Sequence, residues 1–188
     1  MKAKDFGKGI QLAIVLCMGL AFLSGCTSPT PGFNAYNLVW STIVIAAPPD
    51  KVFAYLADPK SAAEWEENLK AEDITDIQGI GLGSSSHWKA DWAGQTIAGK
   101  DLVVEYVPNQ KLVQKTACDP MPGGGACQQT RTWLLLPKPP GTKLIGMIEN
   151  TSQTPPTSQI TQESVSQEVF QKLLDGNLQR IKAAVEKK

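Results

Sequence analysis

Strand-like runs of β-branched, aromatic and alternating residues occupy most of the chain after residue 38. Val39 to Ala46 is the first of them. Further strands are predicted at 74–78, 84–92, 96–107, 112–117, 128–136 and 143–149. Stretches rich in glycine and proline separate these runs as turns. Together they predict an antiparallel sheet of about six or seven strands.

Three other stretches show helical spacing. Asp50 is positioned to cap a short helix with one apolar side, and a second short helix over 61–69 contains Trp65. A long amphipathic helix is predicted from Glu163 to Lys187, because its apolar residues recur with a helical period. Gly176 lies inside this helix and indicates close packing or a bend.

The order of these elements predicts an α+β fold. One strand is followed by two short helices, about six antiparallel strands and a terminal helix. An antiparallel sheet of this kind has one apolar face, and the long terminal helix is the element able to cover it.

The first 25 residues form a separate segment with the pattern of an export signal. Lysines precede an apolar run over 10–23, which is shorter than the ~20 residues of a membrane-spanning helix. The run ends in LSGC, which resembles the lipobox of bacterial lipoproteins, whose cysteine receives lipid and becomes the mature N-terminus. We predict a signal peptide over 1–25, a tether over 26–37 and a domain over 38–188. The alternative is a differently processed signal with an incidental cysteine.

Lipidation of Cys26 would anchor the protein to a membrane of the bacterial cell envelope. Acyl chains hold a protein on a bilayer because each buried methylene contributes ~0.8 kcal/mol. Thr27, and not aspartate, follows the cysteine. In enteric-type bacteria this choice implies the outer membrane, with the domain facing the periplasm.

The charge balance narrows the classes of partner and of chemistry. The chain has 18 basic and 18 acidic side chains and one histidine, His87. A neutral chain lacks the clustered cations of a duplex-binding surface, so we expect no nucleic-acid partner. Alternation in its strand places His87 on the exposed face. Because no motif for a nucleophile, a phosphate loop or a metal site occurs, we predict no catalytic residue, metal or cofactor.

Two cysteines, Cys118 and Cys127, lie on either side of a loop rich in proline and glycine. Export would place them in an oxidising compartment, and the loop would bring two strand ends together. We therefore predict a structural disulfide. A redox pair or half of a metal site is the alternative, but the CxxC spacing and further ligands are missing.

Three sequence motifs accompany this order of elements. The first is an APxxVFxxLxDPxxxxxW opening, matched by Ala47, Pro48, Val52, Phe53, Leu56, Asp58, Pro59 and Trp65. The others are a glycine-marked turn, GIGLGSSSHW, and a strand that runs through a proline turn, VEYVPNQKLV. Over about 38–186 the chain resembles the START-like or SRPBCC superfamily, most closely its polyketide cyclase/dehydrase-type branch. The insert CDPMPGGGAC and the loop at 151–162 depart from the usual pattern.

The resemblance implies a helix-grip fold of the START or Bet v 1 type. In this fold a curved sheet wraps around a long C-terminal helix, and a hydrophobic cavity lies between the sheet and the helix. The candidate ligand-binding residues are Trp65, Trp88, Trp92, Glu105, Trp133, Phe170 and Leu174. The alternative is that the aromatic side chains fill the core. Glu105 and Arg131 are charged residues within apolar strands. An inward side chain would orient a ligand or transfer a proton, whereas an outward one, which we favour, is an ordinary solvated residue.

Three functions remain open. We favour a lipid-anchored, periplasm-facing protein that binds an apolar small molecule such as a lipid, an isoprenoid or a polyketide. The alternatives are an enzyme of the cyclase or dehydratase type and an envelope interaction module with a filled core. A buried ionisable residue at an open cavity would favour the enzyme, a purely apolar cavity would favour the carrier, and a missing cavity would favour the interaction module.

Overall fold

The computed structural model describes residues 37–92, 94–119, 127–150 and 167–187, apart from the side chains of Asn37, Trp92 and Gln95. The predicted signal peptide and tether, including Cys26, lie outside these ranges. So do the loop at 151–162 and the predicted start of the long helix at Glu163.

The elements of the described ranges follow the predicted order. They are β1 (Asn37–Ile45), α1 (Pro49–Ala57), a 3₁₀ turn (Pro59–Ser61), α2 (Ala62–Trp65), β2 (Leu69–Gln78), β3 (Ser85–Trp92), β4 (Gln95–Val107), β5 (Lys111–Cys118), β6 (Gln128–Lys138), β7 (Gly141–Asn150) and α3 (Gln167–Lys187). The second short helix is shorter than predicted, because the chain returns to the sheet at Leu69.

The strands form one antiparallel sheet in the order β1-β7-β6-β5-β4-β3-β2. Every neighbour in this order is also a neighbour in sequence, except that β1 pairs with β7. The long connection between β1 and β2 carries α1 and α2, and α3 packs on β1 and β7. The α+β helix-grip fold predicted from the sequence is confirmed.

Helix α1 begins one residue earlier than its sequence suggests. Pro48 occupies the N-cap position, and its side chain makes no capping hydrogen bond. Asp50 lies in the first turn and is not the cap, so that prediction is wrong. A proline at the first helical position needs no backbone N–H partner, and a carboxylate in the first turn interacts favourably with the helix dipole.

The core lies between the inner face of the sheet and the apolar sides of α1 and α3. Its fully buried side chains include Trp133, Leu135 and Leu144 of the sheet and Leu174, Leu178 and Ile181 of α3. The terminal helix thus covers the apolar face of the sheet, as its spacing predicted. None of the helices in the described ranges is long and apolar enough to cross a membrane.

Polar side chains of α3 cover the free edge of β1. Three of them donate to strand carbonyls: Gln167 to Leu38 at 3.5 Å, Gln171 to Trp40 at 3.3 Å and Lys182 to Val44 at 2.8 Å. The carboxylate of Glu186 accepts from the amide of Ala46 at 2.7 Å. This hydrogen bond and the contact with Lys182 lower the pKa of Glu186. Because the helix uses the edge groups, β1 is not a free template for another strand.

Candidate functional site

A small cavity lies between α2 and the inner face of the sheet. Its volume is about 20 Å³, which is room for about one water molecule. The lining residues come from the α1–α2 connection and from β2 to β6: Leu56, Asp58, Pro59, Ala62, Trp65, Leu69, Ile74, Ser86, Trp88, Asp101, Gln114 and Arg131. The lining therefore combines apolar residues with five residues that carry a hydroxyl, amide or charged group: Asp58, Ser86, Asp101, Gln114 and Arg131.

Two buried tryptophans pack against each other between the sheet and the helices. Trp65 of α2 and Trp133 of β6 meet edge to face, with ring centroids 5.6 Å apart and planes at 86°. Gly146 on the neighbouring strand makes room for them, because a Cβ there would lie 2.7 Å from the Trp133 ring and 2.9 Å from Leu174. Among the described residues this part of the interior is therefore packed, and the small cavity lies at its end next to α2.

Some of the predicted ligand-binding residues line the cavity, and others belong to the packed core. Trp65 and Trp88 line the cavity. Trp133, Phe170 and Leu174 belong to the packed core and are not among the residues that line the cavity. Trp92 ends β3, and its side chain lies outside the described part of the chain.

Glu105 does not line the cavity. The ladder between β4 and β5 shifts register between Val103 and Glu105, and this bulge makes Tyr106 the next residue to pack against the core. The carboxylate of Glu105 is 44% exposed and pairs with Lys111 at 2.7 Å. Glu105 thus has the outward orientation favoured from the sequence, and the bulge removes it from the residues at this cavity, where it was a candidate ligand-binding residue.

Arg131 is the charged residue that points inward, so the outward orientation favoured for it is wrong. It is only 8% exposed and shares the inner face of β6 with Trp133 and Leu135. Its Nη1 lies 2.5 Å from Oε1 of Glu66, and its guanidinium carbon lies 5.2 Å from the centre of the Trp65 ring. Arg131 precedes Trp133 by two residues and Leu135 by four, so alternation along the strand places all three on one face. This spacing indicated that Arg131 is buried.

Glu66 is the acidic partner of this arginine. Burial raises the pKa of its carboxyl, the Arg131 guanidinium lowers it, and the charge of Asp101 raises it further. The net effect is a pKa above the ordinary value. A carboxyl group that retains its proton to higher pH therefore lies next to the cavity.

Asp101 organises the opposite side of the cavity. Its Oδ1 accepts from Trp88 Nε1 at 3.2 Å and from Thr116 Oγ1 at 2.6 Å. Gly99, directly opposite Trp88 in the ladder, allows this arrangement, because a Cβ there would lie 2.6 Å from the indole. The sequence analysis missed Asp101, Gln114 and Glu66, which form a site only when distant strands and α2 come together.

A segment of α1 and the following turns separates this cavity from a depression on the outer surface. The depression has a volume of about 300 Å³, and Asp58 lines both spaces. Ser61 fastens the segment by donating to the carbonyls of Tyr55 and Asp58. Tyr55 donates to Glu64, and burial, with the nearby Glu64 charge, raises the pKa of this tyrosine. Asp58 is thus the residue that the cavity and the outer depression have in common.

The predicted disulfide between Cys118 and Cys127 is present. It joins the ends of β5 and β6, with the two Cα atoms 5.0 Å apart. The amide of Cys118 also donates to the carbonyl of Cys127 at 3.0 Å. Within the described ranges no group of three or more His, Cys, Asp or Glu side chains is placed to hold a metal ion.

Comparison with protein families decides the relationship. The model of the family described as polyketide cyclase / dehydrase and lipid transport matches residues 39–186. The chain belongs to this family. Comparison with the curated proteins gives no match. Membership supports a fold that binds hydrophobic small molecules, which is the coarse part of the function predicted from the sequence.

Solved structures agree with the family fold. Protein CV1439 from Chromobacterium violaceum is 21% identical with a TM-score of 0.59, over 80% of this chain and 97% of that one. A protein from Rhizobium leguminosarum is 15% identical with a TM-score of 0.59, over 80% and 97% of the two chains. The crystal structure of Ara h 8.0201 is 15% identical with a TM-score of 0.59, over 80% and 98%. At these identities the likeness concerns the fold alone.

Proposed function

We propose that this member of the polyketide cyclase / dehydrase and lipid transport family is an envelope protein that binds a hydrophobic small molecule between its sheet and its helices. The observation that carries the proposal is the cavity beside α2, where two tryptophans, Trp65 and Trp88, meet polar side chains of the strands. Ligand sites in proteins are mainly apolar, with a few polar groups that orient the ligand.

Binding requires the cavity to widen. A volume of about 20 Å³ is far below the ~300–1,000 Å³ of ordinary small-molecule sites. Residues of the segment 58–64 line both the cavity and the outer depression. We propose that this segment moves outward and that the ligand occupies the space opened beside Trp65.

Native mass spectrometry of the mature domain, purified from its own host, tests the binding function. We expect a reproducible excess mass that organic extraction resolves into one apolar compound. If the protein is free of ligand and takes up nothing from an envelope-lipid extract, the binding function is wrong. The filled core would then favour the envelope interaction module, and the search would turn to protein partners.

The lipobox supports the location that we propose, a lipid anchor at Cys26 with the domain facing the periplasm. Ten residues, 27–36, connect that cysteine to β1, and they span at most about 36 Å. The strand they enter presents Leu38, Trp40 and Val44, which are 51%, 63% and 41% exposed. Exposed tryptophan and aliphatic side chains suit a bilayer surface, so we propose that this side of β1 faces the membrane.

Cell fractionation tests the anchor. We expect Cys26→Ala to release the protein from the membrane fraction, because the acylated residue is lost. Cys17→Ala is the matched control, since this cysteine lies within the predicted signal peptide, and it should leave membrane retention unchanged. Retention of the Cys26 variant would remove the anchor from the proposal and leave the ligand-binding function intact.

A cyclase- or dehydratase-type enzyme is the second candidate, and Glu66 is the observation that favours it. A carboxyl with a raised pKa beside a cavity is suited to proton transfer. Once a ligand is identified, conversion of that compound by the wild type and its loss in Glu66→Gln would establish catalysis. Release of the compound chemically unchanged after prolonged incubation would leave binding alone.

A further inference from the structure

Three residues that line the cavity carry buried polar atoms with no hydrogen-bond partner in the described ranges: Nε1 of Trp65, Nε of Arg131 and Oε1 of Gln114. Trp65 is 2% exposed and Arg131 is 8% exposed, so neither side chain reaches bulk solvent. Buried polar groups are normally paired, because an unpaired one loses its hydration without compensation. Two donors and one acceptor at a single cavity therefore point to a ligand that supplies the missing partners.

The three residues are neighbours in the fold. Gln114 and Arg131 are directly opposite each other on β5 and β6, and they face the same side of the sheet. The Arg131 guanidinium carbon lies 5.2 Å from the centre of the Trp65 ring. The residue opposite Gln114 on β4 is Val103, whose side chain has no hydrogen-bonding group to offer. One small head group placed here would lie close to all of them.

The charges at the cavity determine what kind of head group fits. The Arg131 guanidinium is already paired with Glu66. Asp101 lies close enough for its charge to raise the pKa of Glu66. The charged residues that line the cavity are Asp58, Asp101 and Arg131. The one cation among them is the paired arginine, and the nearby Arg180 pairs with Glu67, so a carboxylate or phosphate would meet the two aspartates without a free cation.

We propose that the cavity binds the neutral polar head of an apolar molecule, a hydroxyl or amide group that both accepts and donates hydrogen bonds. Its oxygen accepts from Trp65 Nε1 and Arg131 Nε, and its O–H or N–H donates to Gln114 Oε1. The apolar remainder lies along Leu56, Leu69 and Ile74. This inference rests on the proposed function and names the chemical class of its ligand.

Three probes with the same chain test the head group: dodecanol, dodecyl methyl ether and dodecanoate at about pH 8, where the acid is ionised. Dissociation constants follow from quenching of tryptophan fluorescence. We expect the alcohol to bind about tenfold more tightly than the ether, which accepts but cannot donate, and than the carboxylate. Equal affinity for alcohol and ether would mean that the buried atoms are not used by the ligand, and tighter binding of dodecanoate would mean an anionic head. Either result overturns the inference.

Two variants assign the contacts. Gln114→Met removes the acceptor at similar length, and we expect it to abolish the preference for alcohol over ether. Gln110→Met, at an exposed turn position, is the matched control and should keep that preference. Arg131→Lys keeps a cation opposite Glu66 but removes Nε, so it should weaken binding of alcohol and ether alike. If a variant fails to fold, the comparison of the three probes with the wild type still decides.

Failure of the inference and of the proposed function give different results. If none of the three probes binds but an envelope-lipid extract leaves a compound on the protein, the head-group class is wrong and the binding function stands. If the extract also leaves no compound on the protein, the binding function itself is wrong.

Discussion

Gly99 shapes the cavity by having no side chain. Trp88 lies across it from the neighbouring strand, and a Cβ would lie 2.6 Å from the indole and 2.7 Å from the carbonyl oxygen of Ala117. The second contact is with backbone, so side-chain movement alone does not relieve it. The position therefore accepts no larger residue without a shift of the strands.

We expect Gly99→Ala to destabilise the protein by about 1–3 kcal/mol, the usual cost of overpacking. Urea unfolding followed by tryptophan fluorescence measures the change. The displaced indole should also lose its hydrogen bond to Asp101, which near-ultraviolet circular dichroism detects in the folded protein. An unchanged spectrum together with unchanged stability would contradict the contact between Trp88 and Gly99.

Glu66 gives the stability of the protein a pH dependence. An ordinary glutamate titrates near 4.3, and burial raises the pKa of Glu66 above that value in the folded protein. Between the two pKa values the folded state holds more protons than the unfolded state, so the free energy of unfolding falls as pH rises.

We expect Glu66→Gln to remove this fall, because glutamine does not titrate. Urea unfolding at several pH values from about 4 to 8 measures the slope. Glu67→Gln is the matched control, since Glu67 is the next residue and its side chain is 70% exposed. The slope should persist in this control. If it also persists in Glu66→Gln, another group is responsible.

At the scale of elements, the strands were the predictable part of the fold. Alternation and turn residues located all seven, and the helical spacing of the C-terminal segment identified the element that covers them. Glu105 and Arg131 show where such patterns stop. A bulge in β4 keeps Glu105 away from the cavity that it was a candidate to line, and an ion pair with Glu66, far away in sequence, allows Arg131 to be buried. Neither cause is visible in the local sequence, because each depends on a neighbouring strand or helix.

Gly176 shows the same limit within helix α3. The sequence indicated close packing or a bend at this glycine, yet α3 continues without interruption from Gln167 to Lys187. A Cβ at Gly176 would meet only the guanidinium of Arg180, at 3.6–3.8 Å, which is ordinary contact. That arginine donates from Nε to the carbonyl of Trp65 at 2.7 Å and from Nη2 to Asn177 at 2.9 Å. Nothing in these contacts requires glycine.

We therefore expect Gly176→Ala to stabilise the protein by about 0.5–1 kcal/mol, because alanine loses less backbone entropy in a helix. Thermal and urea unfolding measure the gain. Gly146→Ala is the contrasting variant, since a Cβ there would meet the Trp133 ring at 2.7 Å, and it should destabilise. A loss of stability in Gly176→Ala would show that Arg180 cannot accommodate the methyl group.

At the scale of the whole molecule, ligand site and membrane are expected on different parts of the sheet. The cavity is lined by residues from β2 to β6, whereas the exposed side chains Leu38, Trp40 and Val44 lie on β1, at the opposite edge. Helix α3 covers the free edge of β1 through hydrogen bonds from Gln167, Gln171 and Lys182, and it leaves these exposed side chains uncovered. A membrane contact through β1 would therefore leave the segment 58–64 accessible to a ligand.

Brominated lipids test this orientation, because they quench a tryptophan only at close range. In the lipidated protein on vesicles we expect quenching that Trp40→Ser abolishes and Trp88→Phe leaves in place, since Trp40 is 63% exposed and Trp88 lines the cavity. Trp92→Phe is a further control on the last residue of β3. If quenching survives in Trp40→Ser and disappears in Trp88→Phe, the bilayer contacts the cavity side of the sheet. A ligand would then enter directly from the lipid phase and not through the periplasm.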